Sequence, residues 1–276
     1  MVTNKSFTNA VFVAIVILAG TGCEKTETAP SVLKPVAFTV VNCIPNSQPI
    51  IPVFNAGSSI EYFRHALAIW YPGNGYPSFN EYSPPGGMDS VFVVQQNDTL
   101  DIGAKAPGMM FYSVMNLNPG DIYSLFLTGA DTSSPDYLFT TDSLPHYGSG
   151  DSTVGIRFVN LSTGSNPMSI NLEGSSNGSE VADLSYKGIT AFKRYVNNST
   201  TMDYLFVIRD AATGDSLTQF DFLQSGSNNS GFGLTDPSNG SNNGNLLTFK
   251  NITIVIYGSE NPASNFPLNA TLIDNY

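Results

Sequence analysis

One strand-rich pattern is written twice along this chain. Residues 36–42 read VAFTVVN and residues 154–160 read VGIRFVN, so Val36, Val41 and Asn42 return as Val154, Val159 and Asn160, with apolar residues kept at the positions of Phe38 and Val40. The order then continues. ALAIWYPGNGYPSFNEY from Ala66 parallels VADLSYKGITAFKRY from Val181, matching Tyr71 and Gly73 to Tyr186 and Gly188 and, after a two-residue contraction, Phe79 and Tyr82 to Phe192 and Tyr195. MDSVFVV at 88–94 parallels MDYLFVI at 202–208, and GDIYSLFLTG at 120–129 parallels NITIVIYG at 251–258, each of the last pair ending in glycine. The most economical reading of such ordered self-similarity is one supersecondary unit built twice.

Each copy consists of short β-rich runs punctuated by Pro, Gly, Asn and Ser. FVVQQNDTLDI and YLFVIRDAATGDSLTQFDFL both place a turn between strand-compatible flanks, which predicts antiparallel hairpins. Strands that bury one side and wet the other pack as two facing sheets, so the expected fold is all-β, with two tandem immunoglobulin-like β-sandwich domains. A small barrel is the alternative closure. The expected organisation is a signal peptide at 1–22, a tether at 23–32, a first domain at 33–149 and a second at 150–276. A polar insertion at 225–245, SGSNNSGFGLTDPSNGSNNGN, reads as a long loop in the second copy.

The N-terminus supplies Lys5, the ten-residue apolar run Ala10–Ala19, and then Gly20, Thr21 and Gly22 before Cys23. Ten residues make roughly 15 Å of helix, about half of what a hydrocarbon core requires, so the run reads as an export signal rather than a span. It resembles a bacterial lipoprotein signal peptide. That resemblance implies diacylglycerol on the sulfur of Cys23, cleavage after Gly22, and a membrane partner held through the N-terminal lipid. The polar stretch from Glu24 to Ser31 then lifts the folded part off the membrane.

The motifs VGIRFVN, YKG at 186–188 and TIVIYG, with the looser VAFTVVN, YPG and YSLFLTG of the first copy, resemble the domain-of-unknown-function family numbered 4397. The resemblance covers about 240 residues. It implies a sandwich-like module in an exported bacterial protein, often a surface lipoprotein, and brings no catalytic residues. Together with the lipoprotein signal it is similar to exported proteins of Bacteroidota, implying an outer-membrane lipoprotein facing the periplasm or the exterior. DSV at 89–91, DTL at 98–100 and DSL at 142–144 and 215–217 are similar to the O-glycosylation sequence of such proteins.

Charge narrows the partners. Loss of residues 1–22 removes one basic residue, Lys5, leaving 10 Lys and Arg against 22 Asp and Glu, a balance of −12. A chain this acidic lacks the cations that displace counterions from nucleic acid. The second cysteine, Cys43, has no disulfide partner once Cys23 carries lipid, and its place after VAFTVVN reads as a buried small side chain. The histidines, His65 and His146, stand far apart with no metal-ligand spacing, and no nucleophile elbow or phosphate loop occurs. No cofactor or metal is expected, no catalytic residue is assigned, and no pattern assigns an oligomeric state. Asp89 and Asp203 share the MD position but read as turn caps. An envelope glycan hydrolase built on paired carboxylates is the alternative.

The candidate binding segment is WYPGNGYPSF, residues 70–79. Proline and glycine shape its loop while Trp70, Tyr71, Tyr76 and Phe79 supply ring faces for a glycan or an envelope protein. Tyr71 and Phe79 recur in the second copy and read mainly as packing. Trp70 and Tyr76 do not recur, which singles them out for binding. The expected function is that of a non-catalytic cell-envelope lipoprotein with a structural, adhesive or binding role.

Overall fold

The computed structural model describes residues 35–54, 68–74, 76–96, 109–148, 151–197, 204–222, 250–261 and 263–275. Cys23, the tether and loop 225–245 lie outside the described residues. Among those described, the fold is all-β. The strands are β1 Ala37–Asn42, β2 Ile50–Phe54, β3 Phe79–Tyr82, β4 Gly87–Gln95, β5 Met109–Leu117, β6 Ile122–Gly129 and β7 Pro135–Asp142. They continue with β8 Thr153–Asn160, β9 Met168–Leu172, β10 Val181–Leu184, β11 Lys193–Val196, β12 Leu205–Asp210, β13 Ser216–Asp221, β14 Asn251–Tyr257 and β15 Asn269–Asn275.

Two sandwiches result, from sheets β3-β1-β6-β7 and β2-β4-β5 in the first half and from β11-β8-β14-β15 and β10-β9-β12-β13 in the second. The sheets are open rather than closed into a barrel. Their strand orders correspond, and the isolated bridge Ile50↔Ile69 stands where β9 pairs with β10 through Met168↔Leu184. The hairpin β12–β13 forms antiparallel as its sequence predicts, while β4 pairs with β5 across residues 97–108, which lie outside the described set. One pairing does not follow from hairpin patterns: β1 runs parallel to β6, and β8 parallel to β14. The register is the same in both copies, Asn42 facing Leu127 and Asn160 facing Ile256.

The recurring asparagine explains why that register is kept. Asn42 and Asn160 are fully buried. Each donates its amide to a backbone carbonyl at the edge of the facing sheet, Asn42 Nδ2 to Ile69 O at 3.2 Å and Asn160 Nδ2 to Leu184 O at 3.0 Å, and each also bonds a serine hydroxyl five residues on. Their Oδ1 atoms accept from the backbone N–H groups of Ile44 and Ser162. One buried side chain thus ties the end of the first strand to the opposite sheet, with its own polar atoms satisfied. The recurring glycines have an equally local cause: a Cβ on Gly129 would lie 2.4 Å from Ser134 O, and one on Gly258 would lie 2.3 Å from Pro267 O, both at positive φ.

Matching letters do not always mark matching positions. Val91 and Val93 face the first sandwich core as Phe206 and Ile208 face the second, whereas Phe92 lies in an outer cluster with Ile51, Val53 and Val94. MDSVFVV and MDYLFVI are therefore one residue out of structural phase, which reverses the face of every side chain. Similarly, Tyr82 faces Phe38 while Tyr195 faces Val154, a displacement of two.

The two halves form one compact body over Lys34–Tyr276. Sheet β3-β1-β6-β7 packs back to back against β11-β8-β14-β15, giving four layers and three apolar interlayers. The outer two interlayers are the sandwich cores, and the middle one holds Val41, Cys43, Tyr71, Phe79, Phe126, Val159, Leu161, Val255, Tyr257 and Ile273. Strands β1, β6, β8 and β14 are covered on both faces, which is why they read as nearly unbroken apolar runs. Cys43 is 1% exposed, and burial holds its thiol far above the ordinary range.

Arg157 occupies the same middle layer, at the position of Thr39 in the first copy. Its guanidinium grips Asp142 with two bonds, Nη1 to Oδ1 at 2.7 Å and Nη2 to Oδ2 at 2.9 Å, while Nε donates to Thr253 Oγ1 at 2.8 Å. Ser124 Oγ donates to the same carboxylate at 2.6 Å, and the guanidinium carbon stands 4.6 Å from the Phe192 ring centre. The two charged side chains are 4% and 0% exposed. Asp142→Ala strands the buried cation and is expected to cost about 3–5 kcal/mol in denaturant unfolding, whereas Asp142→Leu combined with Arg157→Met costs less than either single change. The Cys43 thiol is expected to resist a thiol reagent until the protein is unfolded, read by mass spectrometry.

Candidate functional site

The segment 70–79 links the bridge at Ile69 to strand β3. Trp70 donates its backbone N–H to Pro77 O at 2.9 Å, pinching the loop at its base. Gly73 takes φ +92, a conformation open to glycine without a Cβ clash, and turns the chain back. The pinch brings together the two aromatics that the second copy lacks. The rings of Trp70 and Tyr76 stack with centroids 4.6 Å apart and planes 23° apart, and Tyr76 remains 59% exposed.

The structure places Tyr71 and Phe79 inside the body. They are 7% and 8% exposed and lie in the middle interlayer. Tyr71 meets Tyr257 edge-on at 5.4 Å and Phe266 at 5.3 Å, so alternation along the loop drives it into the second half while its neighbour Trp70 points elsewhere. Burial, with Cys43 and Tyr257 adding smaller effects, keeps its phenol well above the ordinary tyrosine range. The matching turn of the second copy reaches back reciprocally, Tyr186 Oη donating to Asp136 Oδ2 at 3.1 Å and Lys187 Nζ to Asp136 Oδ1 at 2.9 Å. Tyr71 and Phe79 hold the loop that carries Trp70 and Tyr76.

The remaining candidates separate. His146 is exposed, while His65 and Asp203 lie outside the described residues. Among the described residues no three His, Cys, Asp or Glu side chains gather as a metal site. Asp89 is not a turn cap: it stands within β4, 7% exposed, and lines an open cleft of about 310 Å³ with Pro85, Gly86, Met88, Ser90 and Val114. Of the Asp-Ser motifs, Asp142 is locked by Arg157, whereas Ser216 is exposed at the start of β13.

Sequence reasoning missed Arg157. The available signal was a full charge inside an apolar strand where the other copy has threonine.

No family model matches the chain, and no curated protein matches it in sequence. Its structure is similar to the fimbrial anchor protein Mfa2 from Porphyromonas gingivalis, at 13% identity and a TM-score of 0.26 over 88% of this chain and 100% of that one. It is also similar to a streptococcal virulence factor that binds alpha-glucan, at 12% identity and a TM-score of 0.22 over 83% and 94% of the two chains. A third likeness is to a family 26 carbohydrate-binding module of Eubacterium rectale Amy13K, solved with maltoheptaose, at 7% identity and a TM-score of 0.24 over 87% and 97%. Likenesses at this level transfer neither residues nor ligands.

The division of the four aromatics is measurable without a ligand. Tyr71→Ala empties a packed site and is expected to cost about 3–5 kcal/mol, whereas Tyr76→Ala is expected to change stability by less than about 0.5 kcal/mol in chemical denaturation.

Proposed function

We propose that this protein is a non-catalytic, lipid-anchored binding protein of the cell envelope that holds a glycan on the Trp70–Tyr76 stack. The observation that carries the reading is the stack itself: two aromatic rings pre-assembled by the loop, one of them more than half exposed, in the copy that alone possesses them. The second copy builds the same sandwich with Ser185 at the place of Trp70, so the pair is not required by the fold. A ring face backed by a second ring offers a flat apolar surface to the C–H face of a sugar, and its low side-chain freedom limits the entropy lost on binding.

The competing reading, a carboxylate-dependent glycan hydrolase, needs a second carboxylate opposite the first. Among the described residues, the cleft beside Asp89 is lined by a single one. Attachment through Cys23 gives the binding face a fixed position above a membrane, and the acidic balance disfavours nucleic acid as the partner.

Binding is tested on a glycan array probed with wild-type protein and with Trp70→Ala combined with Tyr76→Ala. The double variant is expected to lose at least about tenfold in affinity for any glycan that binds, by the scale of buried aromatic anchors; undiminished binding overturns the site. Anchoring is tested separately by metabolic labelling with palmitate. Cys23→Ser is expected to lose the label and move from the membrane to the soluble fraction.

A further inference from the structure

Sheet edges are where a β protein is open to another chain, because one row of backbone N–H and C=O groups has no neighbouring strand to bond. Among the described residues the four sheets have eight edge strands, β2, β3, β5, β7, β10, β11, β13 and β15. All but one carry a proline or a charge, the usual guards against further pairing. Pro52 stands in β2, Glu81 in β3, Pro135 and Asp136 in β7, Asp183 in β10, Lys193 and Arg194 in β11, Asp221 in β13 and Asp274 in β15. The exception is β5, which reads MMFYSVMNL, with neither a charge nor a proline along its nine residues. Its one irregularity is a bulge at Met110, and Phe111–Leu117 pair with β4 in unbroken register.

The surface beside this edge is apolar. Register sets Tyr112, Val114 and Asn116 opposite Phe92, Ser90 and Met88, on the face away from the sandwich core, and Tyr112, Val114 and Met88 are 56%, 55% and 72% exposed. The corresponding edge of the second copy, β13, instead sets Gln219 and Asp221 opposite Val207 and Leu205. A second difference lies on the inner side. Tyr137 of β7 faces the first core in alternation with Leu138, meets Phe111 edge-on at 4.8 Å, and is still 47% exposed. At the matching place in the second copy, opposite Ile256 as Tyr137 is opposite Leu127, Ala270 is 5% exposed. The first sandwich thus leaves an inward-facing aromatic uncovered on the side where β5 runs.

Charge narrows the occupant. Directly opposed like charges destabilise a strand pair, so an edge bearing Asp, Glu, Lys or Arg is a poor partner for its own copy. Of the two edges without a charge, β2 is interrupted by Pro52 and bridged at Ile50 by Ile69, which leaves β5. In a chain of net charge −11, it is the edge at which a second copy meets no charge. We propose that the protein self-associates through β5, paired antiparallel with β5 of a second copy about a two-fold axis at Ser113. A two-fold contact needs a surface complementary to itself, and this register supplies one. Tyr112 lies opposite the partner's Val114 and Val114 opposite the partner's Tyr112, two aromatic to β-branched pairs on the apolar face. Phe111 meets the partner's Met115 on the inner face, and the added strand covers Tyr137. This interface does not rest on glycan binding by the Trp70–Tyr76 stack.

The test is sedimentation equilibrium of the full chain in density-matched detergent, at concentrations up to about 100 μM. Wild type is expected to form a dimer. Tyr112→Lys combined with Val114→Lys sets like charges opposite each other twice, at positions more than half exposed, and is expected to weaken dimerisation at least about tenfold. Tyr112→Lys combined with Val114→Asp sets opposite charges against each other in the same register and is expected to recover most of that loss. The variant Trp70→Ala with Tyr76→Ala is expected to dimerise as wild type does. A monomer throughout the concentration range overturns the proposal, as does a dimer untouched by the two lysines. A lysine and aspartate variant no better than the two lysines overturns it as well, and so does a dimer lost in the aromatic double variant.

Discussion

The contact on which the arrangement of the whole body turns is the bidentate pair between Arg157 and Asp142. It joins the last strand of one sandwich to the first strand of the next, in a layer that is otherwise apolar at its other end. Its net contribution to stability is small, because desolvating both ions consumes most of their attraction. Its contribution to geometry is larger. The apolar part of the middle layer, from Val41 to Ile273, would tolerate sliding of one flat sheet over another, whereas a planar fork on a planar carboxylate accepts one alignment. Thr253 accepts from the guanidinium and Ser124 donates to the carboxylate, so each charge has a second partner.

With that alignment set, the two copies divide their duties. What both copies keep serves the fold: the buried asparagine at the end of the first strand, the glycine where the late strand meets a neighbouring carbonyl, and the tyrosine-bearing turn that reaches into the other half. What one copy alone has is not required to build the unit. Trp70 and Tyr76 belong to this second group, while Arg157, at the place of Thr39 in the first copy, serves the stacking of the two halves instead. The duplication thus works as an internal control, separating residues the unit requires from those it does not.

Much of this was legible from the residues alone. The duplicated strands, the hairpin of β12 and β13 and the paired roles of Val36–Asn42 and Val154–Asn160 follow from pattern, because strand and turn preferences are local. The distinction between Tyr71 and Trp70 was legible in part, since one recurs and the other does not. The parallel pairing of β1 with β6 was not, because its partners are some eighty residues apart and no turn connects them. The one-residue phase error between MDSVFVV and MDYLFVI was also invisible, since two apolar neighbours such as Phe92 and Val93 give no sign of which faces inward when both sides of the strand are covered.

The sequence by itself determined that the chain is built of strand-rich runs and turns, that one unit occurs twice, and that the body is acidic and free of a disulfide framework. Those properties depend on neighbours along the chain, on composition and on charge. Only the tertiary structure decided that the two sandwiches stack as four layers and that Tyr71 is a strut while Trp70 and Tyr76 form a surface. It also decided that Asp89 is buried within β4 rather than set at a turn. These outcomes depend on which face of a strand meets which sheet, and a period of two residues reveals that only when one face is wet.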